Sequence, residues 1–370
     1  MDQIHRRKKG KKMTYFLLFI IGFSIGIPFG LLLSNQNLNV VTLDMIYSSE
    51  KRAWIENIAL EFKQWYKNET GQDIQLNFRA MGSRSMMVSV ETGEIQPTIL
   101  SPASSIWIPF LNSRWTLGDI INTSKVITPV YSPIVIGTWS SFNNSVGGIN
   151  NFDDLKKIKA TVPDFHWAHT DPQLSNSGFM GVIMQVASFF NKNTSDLVFS
   201  DLTNSSLHQW MKILESSILF YGTSTGFLAK KAISGDLNAF LVYENLIIEI
   251  NKEITTDTAV AIYPGNGTLL SDHPFAILDA PWVTAQERAA AEKFFEFLQL
   301  NSTIAKAFND GFRPTDTSIL SNSTYNNTFN SIFNAENGVK YSIPTPIYNP
   351  QINSQVLEYI PDLWIITRAG

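Results

Sequence analysis

The chain has 370 residues, a formal net charge of −4 and no cysteine. Disulfides, thiolate metal sites and a lipid-modified cysteine are thereby excluded, so stability must come from an ordinary core. The first 33 residues hold six Lys or Arg and one Asp, a net +5, which leaves −9 for the remainder and argues against nucleic acid as a ligand.

The basic residues Arg6, Arg7, Lys8, Lys9, Lys11 and Lys12 precede an uncharged apolar run from Tyr15 to Leu33, long enough to cross a bilayer as a helix. Its Gly22, Gly26, Gly30 and Pro28 are tolerated in such helices. Basic residues stay on the cytoplasmic side, so the expected order is a cytoplasmic tail at 1–14, a transmembrane anchor at 15–33 and an exterior domain after Ser34. No A-x-A-like cleavage site follows Leu33, which favours an uncleaved signal-anchor over a signal peptide. The expected location is the cell membrane, single-pass, with the C-terminal domain extracellular and the chain held to the membrane through its own anchor. N-x-S/T triplets begin at Asn68, Asn122, Asn143, Asn193, Asn204, Asn266, Asn301, Asn322 and Asn326 and agree with an exterior glycoprotein.

Past a short polar spacer, Val40 to Tyr47 reads as a buried β-branched strand. Ser48-Ser49 then precede a helix carrying Trp54, Ile55, Ile58, Phe62 and Trp65 on one face and ending near Gly71. Asp73 to Arg79 reads as a second strand, with Gly82-Ser83 opening a helix to about Val90. Pro97 to Leu100 reads as a third, with Ser101-Pro102-Ala103-Ser104-Ser105 opening another helix. Strand, hydroxyl-rich turn, helix recurs three times, which implies an α/β fold with a mostly parallel sheet. Ligands of such sheets sit outside the carboxyl ends of the strands, where these turns fall.

Further strands are expected at Ile134 to Trp139, near Ala160 to Val162, up to Tyr243, at Ala259 to Tyr263 and at Pro274 to Leu278. Thr284-Ala285-Gln286-Glu287 is a capping box opening a helix through Leu298. Another helix runs from Asn301 to Gly311, and the Asn-, Ser- and Thr-rich segment 317–340 reads as loop or weak helix. The aromatics Trp54, Trp65, Trp107, Phe294 and Phe295 fall at helical spacing and are expected in the core.

Two stretches read as a ligand clamp. His169 to Gly178 runs into the apolar segment 179–190, and Tyr221 to Gly226 runs into 227–233 and on to Tyr243-Glu244. Free N–H groups at helix starts, beside hydroxyls, suit an anion or a polar group. The candidate ligand-binding residues are Ser48, Ser49, Gly82, Ser83, Ser104, Ser105, Ser132, His169, Ser175, Ser177, Gly178, Thr223, Ser224, Thr225, Tyr243 and Glu244. Ser49, Ser83 and Ser104 would serve from one lobe, Ser177 and Thr225 from the other. Each hydroxyl has the competing role of an ordinary helix cap.

Asp164, His166, His169 and Asp171 resemble a metal-ligand cluster, but no helix holds them at ligand spacing, and no metal is expected. Asp272-His273 invites a dyad reading, but Pro274 follows immediately and the neighbours fit a strand crossover, so no catalytic residue, cofactor or enzymatic activity is expected.

The order of these segments resembles the extracellular solute-binding proteins of the type II periplasmic-binding class, in the family often associated with von Willebrand A domain proteins. The resemblance rests on Ser48 to Lys51, Ser101 to Trp107, Ser132 to Ile136, His169 to Pro172, Ser175 to Gly178, Thr223 to Phe227, Val242 to Glu244, Ala261 to Pro264, Ser271 to Pro274, Ala280 to Thr284 and Gly311 to Pro314, spanning about 40–316. It implies two hinged lobes with ligand between them and delivery to an ABC-type permease or related membrane assembly. The expected division is 40–132 plus 264–370 for lobe 1 and 133–263 for lobe 2. The expected function is capture of a small polar or anionic solute. The alternatives are a hydrolase-like enzyme on the same fold, with His169 or His273 as base, and an interaction glycoprotein without a ligand.

Overall fold

The computed structural model describes residues 40–368, and two β-sheets organise them. In the first, β1 (Val40–Ser48) lies between β2 (Asp73–Met81) and β3 (Ile99–Ser101), all parallel. Helices α1 (Arg52–Thr70) and α2 (Ser83–Glu91) connect them, and α3 (Trp107–Arg114) follows β3. Helix α1 forms because Trp54, Ile55, Ile58 and Phe62 recur on one buried face. It ends at Gly71, whose φ of 72° is a left-handed value that glycine takes freely.

The second sheet begins with β4 (Val130–Trp139), followed by α4 (Ser140–Ser145) and α5 (Phe152–Thr161). Then come β5 (Trp167–Thr170), α6 (Asn176–Phe190), α7 (Phe199–Leu202), α8 (Ser205–Glu215), β6 (Ile218–Gly222) and α9 (Thr225–Ile233). β7 (Ala239–Tyr243), α10 (Glu244–Glu253), β8 (Ala259–Ile262) and β9 (Leu270–Ser271) complete this stretch. β10 (Ala276–Ile277) returns antiparallel to β3 in the first sheet. Helices α11 (Ala285–Leu298) and α12 (Asn301–Asn309) precede β11 (Arg313–Pro314), and α13 (Ser323–Ile332) and α14 (Ser354–Arg368) close the described chain.

Only the first sheet is mostly parallel. In the second, ordered β11-β4-β7-β5-β6 with β8 and β9 also on β4, strand β5 is parallel to β6 and β7, but β4 is antiparallel to all four of its partners. β4 carries the chain away from the first sheet, whereas β5, β6 and β7 run towards it. Repeated βα units in sequence could not report that reversal.

Two further expectations are corrected. The strand placed near Ala160 to Val162 is the last turn of α5 and the residue after it; Phe152, Leu155 and Ile158 are buried at helical spacing, and the strand lies at Trp167–Thr170. Segment 317–340, expected as loop or weak helix, holds helix α13 between turns. The single-pass membrane location is also corrected: among the described residues no helix is long and apolar enough to cross a membrane. The run 15–33 that carried that expectation lies outside the described residues, as does the basic tail.

The apolar core is nearly continuous between the sheets. Ile46, Met86, Leu100 and Trp107 from the first side belong to one buried cluster with Ile134, Phe179 and Leu241 from the second. A separate cluster joins α1 to α11, with the Phe62 and Phe294 rings 4.8 Å apart edge to face. Trp54, Trp107, Phe294 and Phe295 are buried, and Trp65 is half-buried. Helix α14 packs on α6, α7 and α8 of the second side.

Candidate ligand site

β1, β2 and β3 run parallel, so their carboxyl ends share one edge and present Ser48 to Lys51, Gly82-Ser83 and Ser101 to Ser105 together. β5, β6 and β7 do the same for Thr170 to Gly178, Gly222 to Gly226 and Tyr243 to Asn245. These two edges meet. Gly226 N–H donates to Ser49 Oγ at 3.1 Å, Ser85 N–H to the Leu174 carbonyl at 3.2 Å, and Trp107 Nε1–H to Asn176 Oδ1 at 2.7 Å. Asn245 Nδ2 donates to the Glu50 carbonyl at 3.2 Å. The approach is close enough to require glycine: a Cβ on Gly82 would stand 2.5 Å from the Leu174 carbonyl oxygen and 3.0 Å from that of Thr223.

On the second side the hydroxyls form a chain. Ser177 Oγ lies 2.8 Å from both Thr170 Oγ1 and Thr225 Oγ1, and Ser175 Oγ lies 3.3 Å from Thr225 Oγ1. Gly178 N–H donates to Thr170 Oγ1 at 2.6 Å, and a Cβ at Gly178 would collide with the Thr170 carbonyl at 1.9 Å. Ser224 Oγ caps α9 by accepting from Phe227 N–H. On the first side, Ser83 Oγ accepts from Ala103 N–H at 3.0 Å and Ser104 Oγ from Ile106 N–H at 3.4 Å. Ser105 binds the Asp272 carboxylate through its N–H and hydroxyl, and Ser132 Oγ accepts from Asn245 N–H at 3.1 Å.

The heart of the interface is charged, which the hydroxyl pattern did not announce. Lys51 is fully buried, and its ammonium donates to the Ser101 carbonyl at 2.9 Å, Ser101 Oγ at 2.6 Å and the Pro102 carbonyl at 3.0 Å. Burial pushes this ammonium down to about 7, against the opposing pull of Glu50 and Asp272. Glu50, buried beside it, takes the Ser48 hydroxyl and sits with Oε1 3.3 Å from His273 Nδ1. That spacing makes Glu50 a neighbouring charge, but neither ring nitrogen of His273 has a hydrogen-bond partner among the described residues. Burial holds the His273 imidazole below its usual value. Asn245 Oδ1 is likewise buried and unpaired. Tyr243 OH accepts from Asn176 Nδ2 at 2.9 Å, and burial raises its phenol.

Two of the expected ligand residues are turned elsewhere. His169 points into the second side, where Nε2 lies 3.0 and 3.2 Å from the Glu215 carboxylate oxygens and Nδ1 2.8 Å from the Thr170 carbonyl. Both ring nitrogens face acceptors, which requires an imidazolium; although burial lowers its pKa, Glu215 and the Thr170 carbonyl together raise it above the usual value. Glu244 grips Arg313, with Nε–Oε2 at 2.6 Å and Nη2–Oε1 at 2.8 Å, and also accepts from Tyr263 OH. In both cases a buried carboxylate–cation pair takes up the capacity a ligand would need. Asp272 holds Ser105 rather than His273, so no dyad geometry forms. Among the described residues no cluster of three His, Asp or Glu is arranged to hold a metal. Asn176, Asn245, Glu50 and Lys51 were missed; only the adjacency of Glu50-Lys51 to Ser48-Ser49 at a strand end hinted at them.

A family model described as a bacterial extracellular solute-binding protein matches residues 43–313. No curated protein matches the chain. Among solved structures, the fold is similar to the binding protein MotA from A. tumefaciens B6 in complex with glucopine, with a TM-score of 0.62 at 12% identity over 89% of this chain and 99% of that one. The sulfate-binding protein SubI from Mycobacterium tuberculosis H37Rv gives 0.59 at 16% identity over 84% and 94%. The spermidine/putrescine transporter substrate-binding protein PotD from Streptococcus pneumoniae gives 0.56 at 11% identity over 90% and 99%. At these identities the likeness is one of fold, a mixed α/β arrangement of two sheets shared with type II periplasmic binding proteins.

Proposed function

The chain belongs to the bacterial extracellular solute-binding family, and from that premise we propose that it captures a small polar or anionic solute between two lobes and delivers it to an ABC-type permease. The lobes in this reading are 40–132 with 264–370 and 133–263, with β9, β11 and α14 crossing from the first range onto the second sheet's side. The observation that carries the reading is the meeting of strand-end hydroxyls and N–H groups from both sheets around Glu50, where His273 Nε2 and Asn245 Oδ1 are buried without a hydrogen-bond partner among the described residues. Buried polar atoms without partners are rare, and they mark a place where a ligand's polar groups gain more than they would in water.

The donors of the clamp now bond one another across the interface. Each such bond is worth only about 0.5–1.5 kcal/mol net, so a solute that offers equivalent partners can replace them. The lobes would open at the chain crossings, admit the solute and close on it, with contacts made only in the closed form driving closure. With Lys51 saturated by Ser101 and Pro102, the solute would be held by hydroxyls and N–H groups rather than by an ion pair. No reaction is part of this reading, because Asp272 and His273 are not arranged as acid and base.

The test is mass spectrometry of small molecules released on unfolding the purified chain, followed by calorimetric titration of the refolded chain with each released species and with sulfate, phosphate, hexoses and polyamines. A polar molecule that binds one to one, with binding weakened about twofold to a hundredfold by Ser177→Ala, is expected. Absence of any released or titrating polar species would remove the reading.

A further inference from the structure

Outside the clamp, a cavity of about 480 Å³ opens where α3, the first turn of α6 and α14 come together. Its volume is that of a small-molecule site. The walls are largely carbon: Trp107 and Phe110 from α3, Phe179 from α6 and Leu357 from α14. Trp107 and Phe179 stand with ring centroids 4.9 Å apart, and Trp107 is fixed through Nε1 to Asn176, so this wall is rigid and made by both sides of the molecule.

Two guanidinium groups line the same cavity. Arg84 is half-buried and has no hydrogen-bond or ion-pair partner among the described residues; Asp171 and Asp362 act on it only as more distant charges. Burial and the like charge of Arg114 both weaken its protonated form. Arg114 lies over the Phe110 ring at 4.4 Å and reaches Glu91 only at 3.7 Å. Glu358 also lines the cavity, which leaves the lining one positive charge in excess. A half-buried guanidinium with no partner is costly, and its planar fork matches a carboxylate.

We propose that this cavity is a second binding site, which takes an organic anion with an apolar or aromatic body: the body lies against Trp107, Phe110 and Phe179, and the anionic head meets Arg84 and Arg114. The cavity lies outside the clamp and its lining includes none of the clamp hydroxyls. Because its walls come from both sides of the closed interface, its occupant would hold that interface shut.

The probes are 4-phenylbutyrate and octanoate, each against its neutral primary amide, titrated calorimetrically into the full chain. The carboxylates are expected to bind one to one and roughly tenfold or more tighter than the amides, since a charged hydrogen bond is lost with the amide. Arg84→Gln should remove that preference without weakening the amides, and Leu357→Trp, which fills the cavity, should abolish binding of all four. Ser177→Ala, in the clamp, should leave it unchanged. Equal affinity for acid and amide, insensitivity to Leu357→Trp, or no binding of either carboxylate at millimolar concentration would overturn the proposal. The acid-to-amide comparison uses the unaltered chain, so it decides the matter even if a variant fails to fold.

Discussion

Arg313 and Glu244 are almost completely buried, and each is satisfied by the other: two charge-assisted bonds join them, and the remaining guanidinium N–H groups reach the Tyr341 and Lys340 carbonyls at 2.7 and 2.6 Å. Removing one partner strands the other, so Arg313→Met should lower the unfolding free energy by about 3–5 kcal/mol in a urea titration. Arg313→Lys should recover little, because an ammonium lacks the fork; near-native stability for either variant would mean that solvent reaches the pair. The two interior histidines carry opposite pH signs. His169 has a raised folded pKa, so its stabilisation is complete below its unfolded value of about 6.5 and fades as pH rises through the folded one. His273 has a lowered folded pKa, so its cost appears as pH falls below about 6.5. Thermal melts across pH should show His169→Gln losing the alkaline decline and His273→Gln losing the acid decline; a profile unchanged in both variants would contradict these assignments. Hydroxyls at strand ends were legible in sequence because turn chemistry is local. Glu50, Lys51 and the true partners of His169 and Glu244 were not, because pairing such as His169–Glu215 and Glu244–Arg313 depends on which faces the fold brings together.

Helix α11 is the element the sequence announced most directly. Thr284 Oγ1 accepts from Glu287 N–H at 3.2 Å and the Glu287 carboxylate returns to Thr284 N–H at 2.8 Å, completing the capping box. Thr284→Ala should cost about 1 kcal/mol, and Thr284→Ser much less, by chemical denaturation; equal losses would point to the methyl group rather than the cap. Elements with a strong local signal were legible in this way, among them β1, α1 and α2. Those whose limits are set by packing were not. α5 extends through residues that look extended because Phe152, Leu155 and Ile158 need the helical face. α14 gave no signal, since Pro361 sits inside it. Several of the N-x-S/T asparagines serve the fold as caps, since Asn122, Asn193, Asn204 and Asn322 each accept a backbone N–H at a helix start.

At the scale of the whole molecule, Gly82 is where closure can be probed without touching the fold. Its φ of −67° and ψ of 141° suit any residue, so alanine adds no backbone strain. The atoms nearest the added Cβ would be the Leu174 and Thr223 carbonyls of the opposite side. Gly82→Ala should therefore enlarge the radius of gyration in small-angle X-ray scattering while the melting temperature moves little. An unchanged scattering curve would show that the two sides do not separate at this seam. The buried clamp also sets an order of events. Ser177 and Thr225 are 0% and 2% exposed and already bonded to each other, so a solute arriving from water finds no free donor until the seam has parted. In a stopped-flow experiment the observed association rate should then level off with rising solute concentration, at a plateau equal to the rate of opening, and Gly82→Ala should lift that plateau.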